Sequence, residues 1–197
     1  MIATLKTIRD HPYAFWVLLA LPGIPMTAAL ARGVGAEDLI HPTGEFAARF
    51  MIIAMMLTPL RMLFPRVRWL AWLNHRRRYL GVAAFGYALL HTILYVVDME
   101  TLEAMAREFW ALGIWTGWFA FFIFIPLAVT SHDRAVRLLR RGWQWLHRWV
   151  YPAAILTLLH WIFVHNHLGP ALVHFAPLAL LEAYRLYRIM KPRPVAA

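Results

Sequence analysis

The segment WLHRWVYPAAILTLLHWIFVHNH, residues 145–167, combines an apolar run of membrane-spanning length with four histidines. One of them, His160, falls well inside the apolar run. An imidazole in a hydrocarbon environment is costly unless a hydrogen bond or a metal ion satisfies it. The segment therefore predicts a membrane helix that carries a ligand-binding histidine.

The composition of the whole chain extends this interpretation. Of its 197 residues, 61% are hydrophobic and 15% are charged, a balance that is typical of an integral membrane protein. A bilayer core of roughly 30 Å needs about 20 apolar residues per helix. Six segments meet this requirement, at about 13–31, 45–64, 79–97, 109–129, 148–165 and 170–189. We therefore expect an all-α fold, a polytopic six-helix transmembrane bundle, with residues 1–197 forming a single domain.

The charged residues are divided between the two sides of this predicted bundle. Of the 20 lysines and arginines, only Arg32, Arg49 and Arg107 lie toward the side opposite the termini, where most of the acidic residues lie. An excess of basic residues marks the cytoplasmic side of a membrane protein. We therefore expect both termini in the cytoplasm. The net charge of +10 is explained by topology, and no nucleic-acid partner is expected.

Two histidines lie at the same depth in the third and fifth predicted spans. His91 and His160 each come about 12 residues after the cytoplasmic start of their span, which is roughly 18 Å at about 1.5 Å per residue. The chain has no cysteine, so thiolate ligands are excluded. Two neutral imidazoles that face each other at one level in a bundle are the requirement for six-coordinate haem iron. We predict a haem held between the helices of the third and fifth predicted spans, with His91 and His160 as its axial ligands.

One face of the third span carries small side chains next to His91. At about 100° per residue, five residues share this face: Arg77, Gly81, Ala84, Ala88 and His91. A porphyrin needs such a groove beside its ligand, so we expect Gly81, Ala84 and Ala88 to line the cofactor site. Basic residues at the cytoplasmic end could attract anionic groups of a cofactor, and the candidates are Arg77, Arg78 and Arg148.

His147 is a candidate ligand for a second haem. It precedes His160 by 13 residues, a spacing that on an ideal helix turns it by about 220° away from the His160 face. Pro152 lies between them and could alter this phase. The partner on span three would fall near residue 78, which is an arginine, and His75 would have to fold back from its loop. Contact with a flavin or quinone head group, or a helix cap at the membrane interface, are the alternative roles.

Two long segments carry a family resemblance: RRRYLGVAAFGYALLHTILYVVDM (76–99) and WQWLHRWVYPAAILTLLHWIF (143–163). With HPTGEFAARFMIIAMMLTPL (41–60), they resemble the MsrQ (YedZ) family, the haem-binding membrane subunits of bacterial periplasmic methionine sulfoxide reductase systems. That family is part of the ferric reductase-like transmembrane proteins. The resemblance implies one ferric reductase-like domain over the whole chain, b-type haem bound through His91, His147 and His160, and FMN.

The resemblance also implies a role. It indicates an electron-transfer subunit in the bacterial inner membrane, without substrate chemistry of its own. Electrons would come from the quinone pool or from a cytoplasmic flavin reductase, and would pass to a periplasmic, MsrP-like reductase that contains molybdopterin and repairs methionine sulfoxide in proteins. The sequence has no glycine-rich phosphate-binding loop, so NADPH is not expected as the directly bound donor.

Two other functional classes are alternatives. A small proton-coupled membrane transporter could use His91 and His160 as a proton relay, although carriers usually show more intramembrane carboxylates or paired broken helices, and Glu182 gives little support. A membrane metalloenzyme acting on lipid needs several histidine boxes that face the cytoplasm. The crowded group at 165–167 faces outward in the predicted topology, which disfavours this class.

Overall fold

The computed structural model describes residues 12–165 and 168–191, and its regular structure is entirely helical over these ranges. The all-α prediction is therefore confirmed. The helices in the described ranges are α1 (Pro12–Ala20), α2 (Gly23–Ala31), α3 (Ala36–Leu63), α4 (Arg68–His75), α5 (Arg77–Asp98), α6 (Leu102–Glu108), α7 (Leu112–Val129), α8 (Asp133–Leu139), α9 (Arg141–His147), α10 (Val150–His165) and α11 (Leu168–Met190). Both chain termini and His167, on which sequence predictions were made, lie outside the described residues.

Three helices are long and apolar enough to cross a membrane, namely α3, α5 and α7. A fourth candidate is the pair α1 and α2, which is bent by 53° at the break around Pro22. This bend follows from proline, which removes a backbone donor and crowds the preceding turn. The helices α10 and α11 coincide with the predicted spans 148–165 and 170–189, but they are not among these candidates. The described residues thus give three or four spans, and six remains a prediction.

The helix α3 begins at Ala36, well before the start predicted from hydropathy at residue 45. Gly35 precedes it in an extended conformation, and Glu37 and Asp38 occupy its first turn. Acidic side chains stabilise a helix N-terminus through the helix dipole. A hydropathy window does not register this polar first turn. As a result, the segment around Thr43 is helical and belongs to the bundle.

Two antiparallel helix pairs form the centre of the molecule. The helix α3 packs along α5, α7 packs along α10, and α11 packs mainly against α3. Alanines at the crossings allow close approach of the backbones; those with at most 2% exposure include Ala48, Ala84, Ala153 and Ala171. Large apolar side chains remain exposed on the outer faces of the bundle, among them Val97, Phe122, Ile155 and Leu180. Such a surface is suited to lipid.

Candidate metal centre

One cavity in the bundle, which we call the upper cavity, has a volume of about 350 Å³. Side chains of α3, α5, α7 and α10 line it, and they include both His91 and His160. Its walls are largely apolar, with Phe121 and Phe124 on one side. Ionisable side chains also border it, namely Glu37, His41, Glu45 and Asp98. The structure thus brings into one cavity the two histidines that were paired by their depth.

The separation of the two imidazoles suits a shared metal ion. The ring centroids of His91 and His160 are 5.9 Å apart and their planes are inclined by 85°. A metal–imidazole bond is about 2 Å long and the ring centre lies about 1 Å behind the nitrogen, so two axial imidazoles place their centroids roughly 6 Å apart. Two imidazoles can bind opposite faces of one metal centre at any angle between their planes. The distance therefore meets the requirement for axial ligation.

Hydrogen bonds fix the tautomer of both rings. The Nδ1–H of His91 donates to the carbonyl oxygen of Ile40 over 2.8 Å, and the Nδ1–H of His160 donates to that of Gly113 over 2.6 Å. Because a carbonyl oxygen only accepts, each imidazole carries its proton on Nδ1 and its lone pair on Nε2. Histidines that bind a metal through one ring nitrogen characteristically donate a hydrogen bond from the other to a carbonyl or carboxylate.

A glycine lies behind each imidazole, and sequence reasoning missed both. A Cβ added to Gly44 would lie 2.9 Å from Nδ1 of His91, and one added to Gly117 would lie 2.6 Å from Nδ1 of His160. No side chain larger than hydrogen fits these positions without displacing the ring. The available signal was a glycine inside an apolar helix, which costs about 1 kcal/mol relative to alanine and so indicates a packing or functional reason.

Tyr95 adds a polar group to the same cavity. Its side chain lines the upper cavity, and its buried hydroxyl has no hydrogen-bond partner among the described residues. A buried hydroxyl in this state costs about 1–3 kcal/mol. The site therefore offers two imidazole nitrogens, apolar walls and one unsatisfied hydroxyl. These features fit a flat apolar cofactor that has a central metal and a polar edge.

A second cavity, which we call the lower cavity, has a volume of about 720 Å³ and contains most of the other predicted site residues. Its lining includes Arg77, Arg78, Gly81, Ala84, His147 and Arg148. The small-residue face of α5 is therefore divided: Gly81 and Ala84 line the lower cavity, whereas Ala88 and His91 line the upper one. The expected single groove becomes two because Gly81 and His91 lie about 15 Å apart along the helix axis. Phe124 borders both cavities.

Arginines of the lower cavity are bonded to protein groups. Arg77 donates to the hydroxyl of Thr58 over 3.0 Å, and Arg78 donates to the carboxylate of Asp133 over 2.5 Å. The hydrogen bond and charge of Arg78 lower the pKa of Asp133. On the far side, Arg185 of α11 donates to the hydroxyl of Tyr151. The lower cavity is thus positively charged and internally hydrogen-bonded.

His147 occupies a different position from the one that an ideal helix predicts. It ends α9, and α10 begins only at Val150, so the rotation of about 220° expected on a continuous helix does not apply. Its ring stacks on Trp143 with centroids 3.9 Å apart, and its Nε2 lies 3.0 Å from the hydroxyl of Thr130. That hydroxyl donates to the carbonyl of Pro126 over 2.7 Å, so Nε2–H of His147 acts as the donor. Burial and the charges of nearby arginines lower the pKa of His147 to about 4.

Comparison with known proteins gives the family. The family described as "Ferric reductase like transmembrane component" matches residues 43–158. A "Protein-methionine-sulfoxide reductase heme-binding subunit MsrQ" from Brucella anthropi is 31% identical, over 95% of this chain and 86% of the relative. Proteins with the same name from Rhizobium meliloti and Azospira oryzae are 33% and 34% identical, over 91% and 88% of this chain and 86% and 77% of the relatives. The chain belongs to the MsrQ family.

Membership of the MsrQ family confirms the resemblance inferred from the sequence. No solved structure matches this chain. The matched range of the wider ferric reductase family includes His91, Gly117 and His147 and stops just before His160. Over the part of the chain that the structure describes, no group of three or more histidine or acidic residues could hold a metal ion by itself. The candidate metal site in these ranges is the pair of imidazoles in the upper cavity.

Proposed function

We propose that this MsrQ-family chain is a haem b electron-transfer subunit, in which His91 and His160 are the axial ligands of one haem in the upper cavity. The observation that carries the proposal is the centroid distance of 5.9 Å between two imidazoles whose Nδ1 protons are both given to backbone carbonyls. The names of the related MsrQ proteins, which describe them as heme-binding subunits, support it. Haem supplies one-electron chemistry when it is bound.

The residues of the upper cavity have separate tasks in this proposal. His91 and His160 would hold the haem iron from both sides, which would leave no open coordination site for a substrate, so we expect no substrate chemistry from this chain. The apolar walls around Phe121 and Phe124 exclude water. The hydroxyl of Tyr95 would donate a hydrogen bond to a polar edge of the cofactor, such as a propionate.

The charges at the two cavities support an orientation for the bundle in the membrane. Basic residues line the lower cavity, whereas Glu37, Glu45 and Asp98 border the upper one. The positive-inside rule then assigns the lower cavity to the cytoplasmic half of the bacterial inner membrane. In this topology, α10 and α11 are the fifth and sixth spans and both termini are cytoplasmic. Electrons enter from the quinone pool or a cytoplasmic flavin reductase, and leave toward a periplasmic molybdopterin-dependent methionine sulfoxide reductase.

The lower cavity is the proposed site of a second redox group. A second haem would use Nε2 of His147, but this atom is engaged by Thr130 and no other histidine lines the cavity within the described ranges. FMN needs no imidazole ligand, and its phosphate is complementary to a site bordered by Arg77, Arg78 and Arg148. The proposal therefore places FMN in the lower cavity and leaves His147 as a polar residue of its wall.

A proton relay through His91 and His160 fits the geometry less well. A relay histidine takes up a proton at one ring nitrogen and releases one from the other. In both residues Nδ1 is committed to a carbonyl oxygen at 2.8 Å or less, and a carbonyl passes no proton onward. The arrangement fixes a lone pair on Nε2, which is what a ligand requires and a relay does not.

The visible spectrum of the purified full-length protein tests the proposal. We expect low-spin b-type Soret and α bands after reduction with dithionite, and loss of these bands in His91→Ala and His160→Ala. The control is His132→Ala, since His132 is exposed and caps the short helix α8; this variant should keep the wild-type spectrum. A colourless protein obtained with ample haem supply, or unchanged bands in both histidine variants, would overturn the assignment.

A further inference from the structure

The two central helix pairs repeat one local arrangement. In each pair the first helix carries a Thr-Gly dipeptide and the second carries a histidine: Thr43–Gly44 on α3 with His91 on α5, and Thr116–Gly117 on α7 with His160 on α10. The cavity linings show that α3 and α7 run from the upper to the lower cavity, while α5 and α10 return. The two pairs therefore have the same orientation relative to the cavities, and the histidine of each pair lines the upper cavity.

The two threonines are the most deeply buried polar side chains in the described ranges, with 0% exposure for Thr43 and 1% for Thr116. A hydroxyl at such a depth needs a hydrogen bond. Threonine in a helix commonly bonds to a carbonyl three or four residues earlier. Exposed Thr27 does this at the carbonyls of Gly23 and Ile24, both at 3.0 Å. Back-bonding alone therefore does not distinguish the two buried threonines.

Their distinction is that they share a carbonyl with a histidine. The hydroxyl of Thr43 divides its one proton between the carbonyl oxygens of Leu39 and Ile40, each at 2.8 Å. The Ile40 oxygen also accepts from Nδ1–H of His91 over 2.8 Å. The hydroxyl of Thr116 divides its one proton between the carbonyl oxygens of Leu112 at 2.6 Å and Gly113 at 2.9 Å. The Gly113 oxygen also accepts from Nδ1–H of His160 over 2.6 Å. The same three-group contact is thus built twice, once on each side of the upper cavity.

We propose that Thr43 and Thr116 are positioning residues that set the donor strength of the two histidines toward haem iron. The inference rests on the proposed function. A carbonyl oxygen that accepts from a hydroxyl has less electron density to offer to a second donor. Removing the hydroxyl strengthens the Nδ1–H bond, which gives the imidazole more anionic character and favours the ferric over the ferrous state. The threonines therefore hold the reduction potential of the haem above the value that the histidines alone would give.

Potentiometric titration of the haem in the full-length protein tests this inference. We expect a lower midpoint potential in Thr43→Val and in Thr116→Val, because valine has the shape of threonine without its hydroxyl. Thr43→Ser and Thr116→Ser retain the hydroxyl and should return the potential to the wild-type value. Thr27→Val removes a back-bonded hydroxyl away from both cavities and should leave the potential unchanged. Should a valine variant fail to load haem, the corresponding alanine variant carries the same expectation.

The outcomes separate this inference from the function on which it rests. A haem-loaded wild-type protein whose valine or alanine variants keep the wild-type reduction potential would overturn the positioning role. The proposed haem binding would still stand in that case. A serine variant with the same shift as valine would also overturn it, since the effect would then come from packing. A wild-type protein that binds no haem would overturn both the proposed function and this inference.

Discussion

The imidazoles of His91 and His160 lie against helix backbone, because the residues behind them at positions 44 and 117 are glycines. This contact combines two requirements at the scale of the residue. The ring must come close enough to donate Nδ1–H to a carbonyl that is already part of a helix, and the lone pair on Nε2 must point away from that helix. Glycine meets the first requirement and the hydrogen bond meets the second.

A first residue-scale prediction concerns these glycines. In Gly117→Ala the new Cβ would lie 2.6 Å from Nδ1 of His160, and in Gly44→Ala it would lie 2.9 Å from Nδ1 of His91. Displacing the ring breaks its hydrogen bond, and we expect haem affinity to fall by about 10- to 100-fold. Gly86→Ala is the control, since nothing lies within 4 Å of its added Cβ. Haem titration of the purified variants measures the effect, and equal affinities in all three would contradict it.

A second residue-scale prediction concerns Tyr95. Its hydroxyl is buried without a partner in the described chain, so Tyr95→Phe removes an unsatisfied group from the haem-free protein. The free energy of unfolding of the haem-free variant should equal or exceed that of wild type, by up to about 1–3 kcal/mol. Its haem affinity should nevertheless decrease. Denaturation and haem titration of the same preparation check these opposite effects. A variant with both a lower free energy of unfolding and a lower haem affinity would contradict the role assigned to the hydroxyl.

A third residue-scale prediction follows from the lowered pKa of His147, about 4 in the folded chain against an ordinary value of 6.5. The unfolded chain binds the proton more readily, so protonation favours unfolding. The stability associated with neutral His147 is fully present above pH 6.5 and is lost progressively as the pH falls toward 4. Denaturation of the haem-free protein across this range should show a shallower slope with pH in His147→Gln. An identical slope in both proteins would contradict the expectation.

At the scale of the element, the close pairing of α7 with α10 depends on small residues one turn apart. Gly113 and Gly117 form a GxxxG motif, which allows two helix backbones to approach each other in a membrane. A Cβ on Gly113 would lie 2.8 Å from Cγ2 of Val164 and 3.2 Å from its backbone nitrogen. The same helix face therefore packs the pair and supplies the carbonyl for His160.

The element-scale prediction is that Gly113→Ala separates α10 from α7. Because the backbone of Val164 cannot move aside as a side chain tip does, we expect destabilisation of about 1–3 kcal/mol from overpacking, together with weaker haem binding. The control is Gly169→Ala, which has no neighbour within 4 Å of its added Cβ. Thermal denaturation measures both variants. A Gly113→Ala protein as stable as wild type would show that the two helices do not need this approach.

At the scale of the whole molecule, the two cavities lie one above the other along α3, α5, α7 and α10, with α9 and α11 also lining the lower one, and they differ in charge. Arginines border the lower cavity and carboxylates border the upper one. This distribution has the same orientation as the loop charges, which predicted basic residues on the side of the termini. Phe124 borders both, and Phe85 of the lower cavity stacks on Phe121 of the upper one with centroids 5.9 Å apart. An electron carrier with two redox groups requires two separate sites a short distance apart, and the two cavities meet this requirement.

The sequence predicted the parts of this arrangement that depend on depth and on one helix at a time. Counting residues from the span ends paired His91 with His160, and helical periodicity placed Ala84 and Ala88 on the cavity side of α5. It missed Gly44 and Gly117, because which backbone lies behind an imidazole depends on how separate helices pack. For His147 the spacing predicted the phase of an ideal helix, with Pro152 as the residue that could alter it, whereas the helix is interrupted at residues 148–149. Depth follows from the sequence, but the helix that supports each ligand follows from tertiary contacts.

The most direct test of the central claim is the low-temperature EPR spectrum of the oxidised, haem-loaded protein. Two axial imidazoles with planes inclined by 85° should give a low-spin ferric signal of strong anisotropy, dominated by one low-field feature. The signal should disappear in both His91→Ala and His160→Ala. A high-spin ferric signal in the wild type, or a low-spin signal that survives loss of either histidine, would contradict ligation by this pair.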